Sequence, residues 1–173
     1  MPAGLPTMPQ TFRDAGYQAF AVGKLHVYPQ RARIGFDDVI SHEEGRHHVG
    51  GADDYERHLA NAGYAGREYT HAMGSNVYTT RPWHLPEALH ATNWTEREMS
   101  RLIQRRDPTR PAFWYCSFAA PHPPQTPPSV YLDMYREEEL TLPAIGEWAR
   151  DFDDWPYAMQ ARYHVWQGIS ERE

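Results

Sequence analysis

The 173-residue chain carries 17 basic against 23 acidic residues, a formal charge of −6, with a pI near 5.9. That length suits one domain, and the acidic balance excludes a general affinity for nucleic acid, which calls for a basic stripe. No run approaches the roughly 20 apolar residues of a membrane helix, and the single cysteine, Cys116, excludes an intramolecular disulfide framework.

Apolar residues make up 40% of the chain, below the roughly 45–50% typical of globular domains. Fifteen prolines and a mean hydropathy of −0.77 point the same way. Long surface connections and a thin core follow, which fits an excised part of a larger fold or a loop-rich domain. Met1-Pro2-Ala3-Gly4-Leu5-Pro6-Thr7 lacks the charged start and apolar stretch of a secretion signal. The compartment stays open on that ground, with the cytoplasm preferred.

Thr7 and Gln10 have capping-box spacing, and Met8, Phe12 and Ala15 then share one helical face. A short helix is predicted over 8–15, stopped by Gly16. Gln18-Ala19-Phe20-Ala21-Val22 reads as a strand that closes on Gly23-Lys24-Leu25-His26. Residues 34–40 form a candidate second strand, and His42 to His48 read as polar loop. Asp53 to Ala62 is predicted helical, with Tyr55 and Leu59 on one face and Gly63 ending it.

Residues 64–92 show no periodicity and are rich in Tyr, Trp, His and Pro, which predicts a long surface excursion of a kind that is often functional. Thr95-Glu96-Arg97-Glu98 has capping-box spacing for a helix running to Arg106 on Met99, Leu102 and Ile103. That helix start explains Asn93-Trp94-Thr95 better than a glycosylation acceptor does. Ala112 to Phe118 is nearly all apolar and reads as a strand covered on both faces of a parallel sheet. Pro128 suits the first turn of a short helix to Tyr135, and Met159, Tyr163 and Trp166 support a helix over 157–172. The alternation places the chain in the α/β class, with too few strands for a complete doubly wound sheet.

Several residues could carry chemistry. In a strand, residues i and i+2 face the same way, so Lys24 and His26 could converge on one anionic group at a strand's carboxyl end, where open α/β sheets bind ligands. On spacing alone, an ordinary solvated turn is preferred. His122, between Pro121 and the pair Pro123 and Pro124, sits on a stiff loop after a strand. That suits a positioned donor, and equally a cap on the strand carbonyls. Trp83, His84, His90 and Trp94 could line a substrate cleft, although core packing of the two tryptophans would leave the same pattern.

His42, His47, His48, His84 and His90 are too loosely spaced for zinc and lack cysteine partners. The pairs Asp37-Asp38, Asp53-Asp54 and Asp153-Asp154 read as solvated acidic turns rather than metal ligands. Cys116, inside an apolar strand, reads as a small core residue.

Several stretches in one order carry more weight than any one of them. Arg13-Asp14-Ala15-Gly16-Tyr17 precedes Gly23-Lys24-Leu25-His26; Arg81-Pro82-Trp83-His84-Leu85-Pro86, His90-Ala91-Thr92-Asn93-Trp94 and Arg106-Asp107-Pro108-Thr109-Arg110-Pro111 follow. Ala120-Pro121-His122-Pro123-Pro124 and the stretch from Pro127 to Tyr135 come after the last strand. The whole resembles the central part of the formylglycine-dependent sulfatases, arylsulfatase-type members of the alkaline phosphatase superfamily. The resemblance covers most of residues 5–135 and is poor across 140–173.

The resemblance implies an incomplete parallel-sheet sandwich of the alkaline phosphatase/sulfatase type, with residues 1–173 forming a single fragment of a catalytic domain. It implies hydrolysis of sulfuric esters, with a small aryl or carbohydrate sulfate ester as partner, and neither nucleic acid nor membrane. Lys24 and His122 match residues that bind the sulfate group, His122 also lying near the leaving oxygen. His26 matches the histidine beside the nucleophile's hydroxyl, where it assists sulfate release. Two alternatives are a phosphate or phosphonate monoester hydrolase of the same superfamily and a non-catalytic binding module derived from the fold.

The family's parent enzymes need calcium or magnesium and a formylglycine made from Cys or Ser in a Cys/Ser-x-Pro/Ala-x-Arg context. Cys116 has Phe118 and Ala120 at those positions, and Ser117 has Ala119 but Pro121 where arginine belongs. The family's acidic metal pair and its Ser-Asp-His-Gly element have no counterpart here. The expectation is therefore that this chain holds no cofactor and no metal site, and that alone it is inactive.

Overall fold

Three short parallel strands end in register at one rim of a sheet, and that alignment positions everything functional. The computed structural model describes residues 4–45, 51–139, 141 and 144–161. The elements are α1 (Met8–Asp14), β1 (Gln18–Gly23), β2 (Asp38–Ser41), α2 (Asp54–Asn61), α3 (Ala91–Gln104), β3 (Ala112–Ser117), α4 (Ser129–Met134) and α5 (Tyr157–Gln160). The sheet order is β2-β1-β3, all parallel, with Gly23 opposite both Ser41 and Ser117. The fold is α/β, as the alternation of elements implied, and fits part of an alkaline phosphatase/sulfatase-type sheet. No helix among the described residues is long and apolar enough to cross a membrane.

Local chemistry explains each element. Thr7 caps α1 by accepting from the Gln10 N–H at 3.3 Å, while its own hydroxyl donates to the Ile34 carbonyl at 2.6 Å. Phe12 of α1 stacks on Phe113 of β3 with ring centroids 4.5 Å apart. That contact covers the sheet face where Ala19 and Ala21, two residues apart in β1, pack with Phe36. A second core lies under α2 and α3, where Tyr55, Leu59, Leu85 and Trp94 are buried together. Gln18 fastens the approach to β3: its side-chain amide donates to the carbonyls of Asp107 and Arg110 and accepts from the Asp107 N–H.

Several sequence expectations need correction. The second strand lies at Asp38–Ser41, later than 34–40, because Ile34 and Gly35 take left-handed backbone angles (φ 43° and 100°) that no strand accommodates. Helix α3 starts at Ala91, with His90 as its cap in place of Thr95: the His90 ring accepts from the Thr92 N–H at 3.2 Å. Thr95 is buried inside the helix instead. The stretch 64–92 is irregular, yet Glu68, His71, Met73 and Leu85 are buried, so it is packed and not merely surface.

Strand β3 is an edge with only partial cover; Tyr115 is 38% exposed, and Cys116 is exposed and not a core residue. Of the predicted C-terminal helix, only α5 is described; Tyr163 and Trp166 lie outside the described residues, as do His47 and His48.

Gly23 is where the fold is tightest. Its φ of 101° belongs to the left-handed half of backbone space, and a Cβ there would overlap the Ser117 carbonyl. Gly23→Ala is expected to lower stability by about 3 kcal/mol, read as a drop in the urea midpoint. An unchanged midpoint would mean that β1 and β3 do not approach this closely.

Candidate active site

The loops after β1, β2 and β3 meet at the rim, and two adjacent acidic residues tie them together. Glu43 and Glu44 follow β2 after His42 and are 1% and 8% exposed. The Glu43 carboxylate accepts from the Leu25 N–H at 2.9 Å and the His26 N–H at 3.0 Å, so it holds the turn after β1 by its backbone. The Glu43 N–H in turn donates to the Asp53 carboxylate, which also caps α2 by accepting from the Glu56 N–H at 2.8 Å. Asp53 is fully buried.

Glu44 performs the second tie with its side chain. One oxygen lies 2.7 Å from the Lys24 ammonium and the other 3.2 Å from Nδ1 of His122. The same Nδ1 faces the Pro123 carbonyl at 2.8 Å. Two oxygen acceptors at Nδ1 assign the ring hydrogen there, which leaves Nε2 as the acceptor of the neutral ring and a donor when protonated. Lys24 and His122 thus come from the loops after adjacent parallel strands and share one carboxylate.

His26 reaches the same region differently. The two-residue alternation of β1 stops at Gly23, and His26 takes a left-handed φ of 56°. The residue that pairs with Lys24 across a common acidic group is therefore His122, and not His26 as strand periodicity suggested.

A cleft of about 580 Å³ opens beside Glu44 and His122, with His42, Glu68, Trp83 and His90 also on its walls. Trp94 and His84 do not line it. Trp94 sits in the core beside Tyr55, with ring centroids 5.3 Å apart, and the Nε2 of His84 lies 2.8 Å from the Arg67 carbonyl. His90 bridges two loops, through Nδ1 to the Thr92 N–H and through Nε2 to the Thr126 carbonyl. Burial lowers its pKa.

His42 is also buried, 3.0 Å from Glu68. Burial pulls its pKa down, but the bonded Glu68 and the nearby Asp53 and Glu44 carboxylates outweigh that and raise it. Burial likewise lifts Asp53 to about 6, against the pull of His42 and two backbone donors.

Sequence reasoning missed Glu43, Glu44 and Glu68 and set His42 and Asp53 aside, as loop polarity and a solvated turn. An acidic stretch before glycine looks like a solvated turn, and the only clue was its place directly after a strand end. The acidic pairs are likewise committed: Asp37 to Arg13 and the Ala19 N–H, Asp38 to Arg33, and Asp54 to Arg31 and Ser41. Asp53 is a buried helix cap rather than a solvated turn, while Asp153 and Asp154 lie in an exposed 3-10 turn.

The sulfatase family model matches residues 1–161. The chain belongs to the sulfatase family. It is 34% identical over 160 residues to an arylsulfatase of Clostridium perfringens, a match covering 86% of this chain and 33% of the relative. It is 26% identical over 143 residues to the mouse protein named arylsulfatase J, covering 79% of this chain and 22% of that protein. The sulfatase chain thus spans about a third or less of the length of these relatives.

Sulfatases generally use a formylglycine and a metal ion. Among the described residues no group of three or more histidine, cysteine or acidic side chains converges as a metal site. The carboxylates of Asp37, Asp38, Asp53 and Asp54 are already bound to cations or backbone N–H groups. Cys116 lies on the exposed edge strand with Phe118 and Ala120 in place of the small residue and arginine that conversion requires.

The two raised pKa values set a pH dependence. Both groups bind protons more tightly folded than unfolded, so stability is present at low pH and is lost as pH rises. The window runs from about pH 4 through about 6 for Asp53 and continues above 6.5 for His42. Urea unfolding at pH 5 and pH 8 should therefore show a loss of about 1 kcal/mol from Asp53. Asp53→Asn should shrink that difference; an equal or larger difference in the variant would refute the assignment.

Proposed function

We propose that residues 1–173 are one fragment of a sulfatase catalytic domain that carries the part of the site gripping the sulfuryl group of a sulfate ester. The observation behind this reading is the Lys24–Glu44–His122 arrangement, in which two donors from adjacent strand ends already flank a two-oxygen anion. A sulfuryl group presents oxygens to the same donors.

Each residue then has a task. Lys24 is a compact point charge on a flexible stem, suited to a non-bridging sulfuryl oxygen. With its side chain only 16% exposed, its charge counts for more than at an open surface. His122, with Nδ1 occupied, offers Nε2 to the leaving oxygen and, with both ring nitrogens protonated, donates a proton from Nε2 as the ester bond breaks. His26 stands near the attacking group and assists release of sulfate. Trp83 and His90 flank the leaving group, which is an aryl or sugar alcohol. The names of both relatives favour an aryl ester.

The nucleophile and the divalent-metal ligands are not among these 173 residues on this reading, and no step is assigned to them here. The support is the failed conversion context around Cys116 and Ser117 and the commitment of Asp37, Asp38, Asp53 and Asp54 to other partners.

Two measurements test the proposal. An aryl sulfate incubated with the chain, calcium and a formylglycine-generating enzyme should turn over no faster than the background. Turnover that survives Cys116→Ala would reveal another nucleophile in this chain. In the second, NMR titration with sulfate should shift the ring protons of His26 or His122. Lys24→Ala should weaken that binding several-fold; no shift at either ring would rule out a sulfate site.

A further inference from the structure

A sulfate monoester carries one negative charge, whereas a phosphate monoester carries nearly two above its second ionisation near pH 6. We propose that Glu44 is a specificity-determining residue whose carboxylate, held between Lys24 and His122, selects singly charged over doubly charged esters. The inference rests on the assignment of Lys24 and His122 to the sulfate group and deepens it by naming what separates sulfate from phosphate.

Three observations carry it. First, both Glu44 oxygens are engaged, at 2.7 Å by Lys24 and at 3.2 Å by His122, so the carboxylate cannot withdraw without breaking both contacts. Second, its backbone is held in a left-handed turn at φ 54°, followed by Gly45 at φ 63°, where a Cβ would run into the Tyr69 ring. The negative charge is therefore built in place and not a mobile surface group. Third, Glu68 and Glu87 also line the cleft beside His122, and among its described lining residues there is no lysine or arginine. Beyond its histidines, His42 among them, the described lining offers a second ligand charge no cation.

The size of the effect follows from Coulomb's law. With an effective dielectric of about 20 and a separation of about 6 Å, one additional ligand charge beside Glu44 costs roughly a hundredfold in affinity before solvent screening. His122 is 32% exposed, so the cleft is partly wet. Screening reduces the expected discrimination to about tenfold.

The test uses the full chain with methyl sulfate and methyl phosphate as probes at pH 8, where the first carries one charge and the second two. Affinities are read from the His122 ring protons. The wild type should bind methyl sulfate the more tightly, and a wild type that prefers methyl phosphate overturns the proposal without any variant. Glu44→Gln should raise the phosphate-to-sulfate affinity ratio about tenfold, while Glu44→Asp, which keeps the charge, should stay within about threefold of the wild-type ratio. A ratio unmoved in the Gln variant, or moved equally by Asp and Gln, refutes the role of charge while leaving the sulfate site standing. Binding of neither probe by the wild type refutes the site itself, and the inference falls with it.

Discussion

The Glu43–Glu44 pair is the constraint on which the rest of this structure depends. A buried carboxylate is costly unless its oxygens are satisfied, and these two are satisfied by different loops. Glu43 takes the backbone N–H groups of Leu25 and His26, and Glu44 takes the Lys24 ammonium and the His122 ring. Asp53 holds the Glu43 N–H from the head of α2. A chain of acceptors thus runs from a helix cap to the rim of the sheet. Removing any member would strand a buried charge or an unpaired N–H, so the three loops are fixed relative to one another.

The histidines divide between scaffold and site by the same logic. His90 and His71 spend ring nitrogens on backbone N–H groups, and burial lowers the pKa of each. They act as neutral clips in the irregular stretch that walls the cleft. His42, surrounded by Glu68, Asp53 and Glu44, is the buried imidazole whose surroundings favour its charged form. His122 differs in being bound through one nitrogen on a rim loop, which leaves its other face toward the cleft.

The half-covered β3 explains the low apolar content. Parallel strands are ordinarily covered on both faces, yet Tyr115 and Phe118 are well exposed, and so are Val130, Tyr131 and Met134 of α4 and the residue after it, Tyr135. The matched relatives are about three to five times longer than the region this chain spans in them. A sheet of three strands is correspondingly small for the alkaline phosphatase/sulfatase type.

Local pattern was enough for most elements, because their signals are short-range. The Thr7 cap, the Tyr55 and Leu59 face of α2, the apolar β1 and the α/β class were all legible without coordinates. So were the family and the order of its stretches, since these depend on residue identity along the chain alone. The tertiary structure decided what no periodicity encodes. Whether an acidic loop is solvated or buried depends on which donors the sheet register delivers, and Gly23, Ser41 and Ser117 align only once three strands pair. That register turned His42 to Glu44 from a polar loop into the clasp of the site and sent Trp94 to the core. It also made His122, nearly a hundred residues away in sequence, the partner that shares a carboxylate with Lys24.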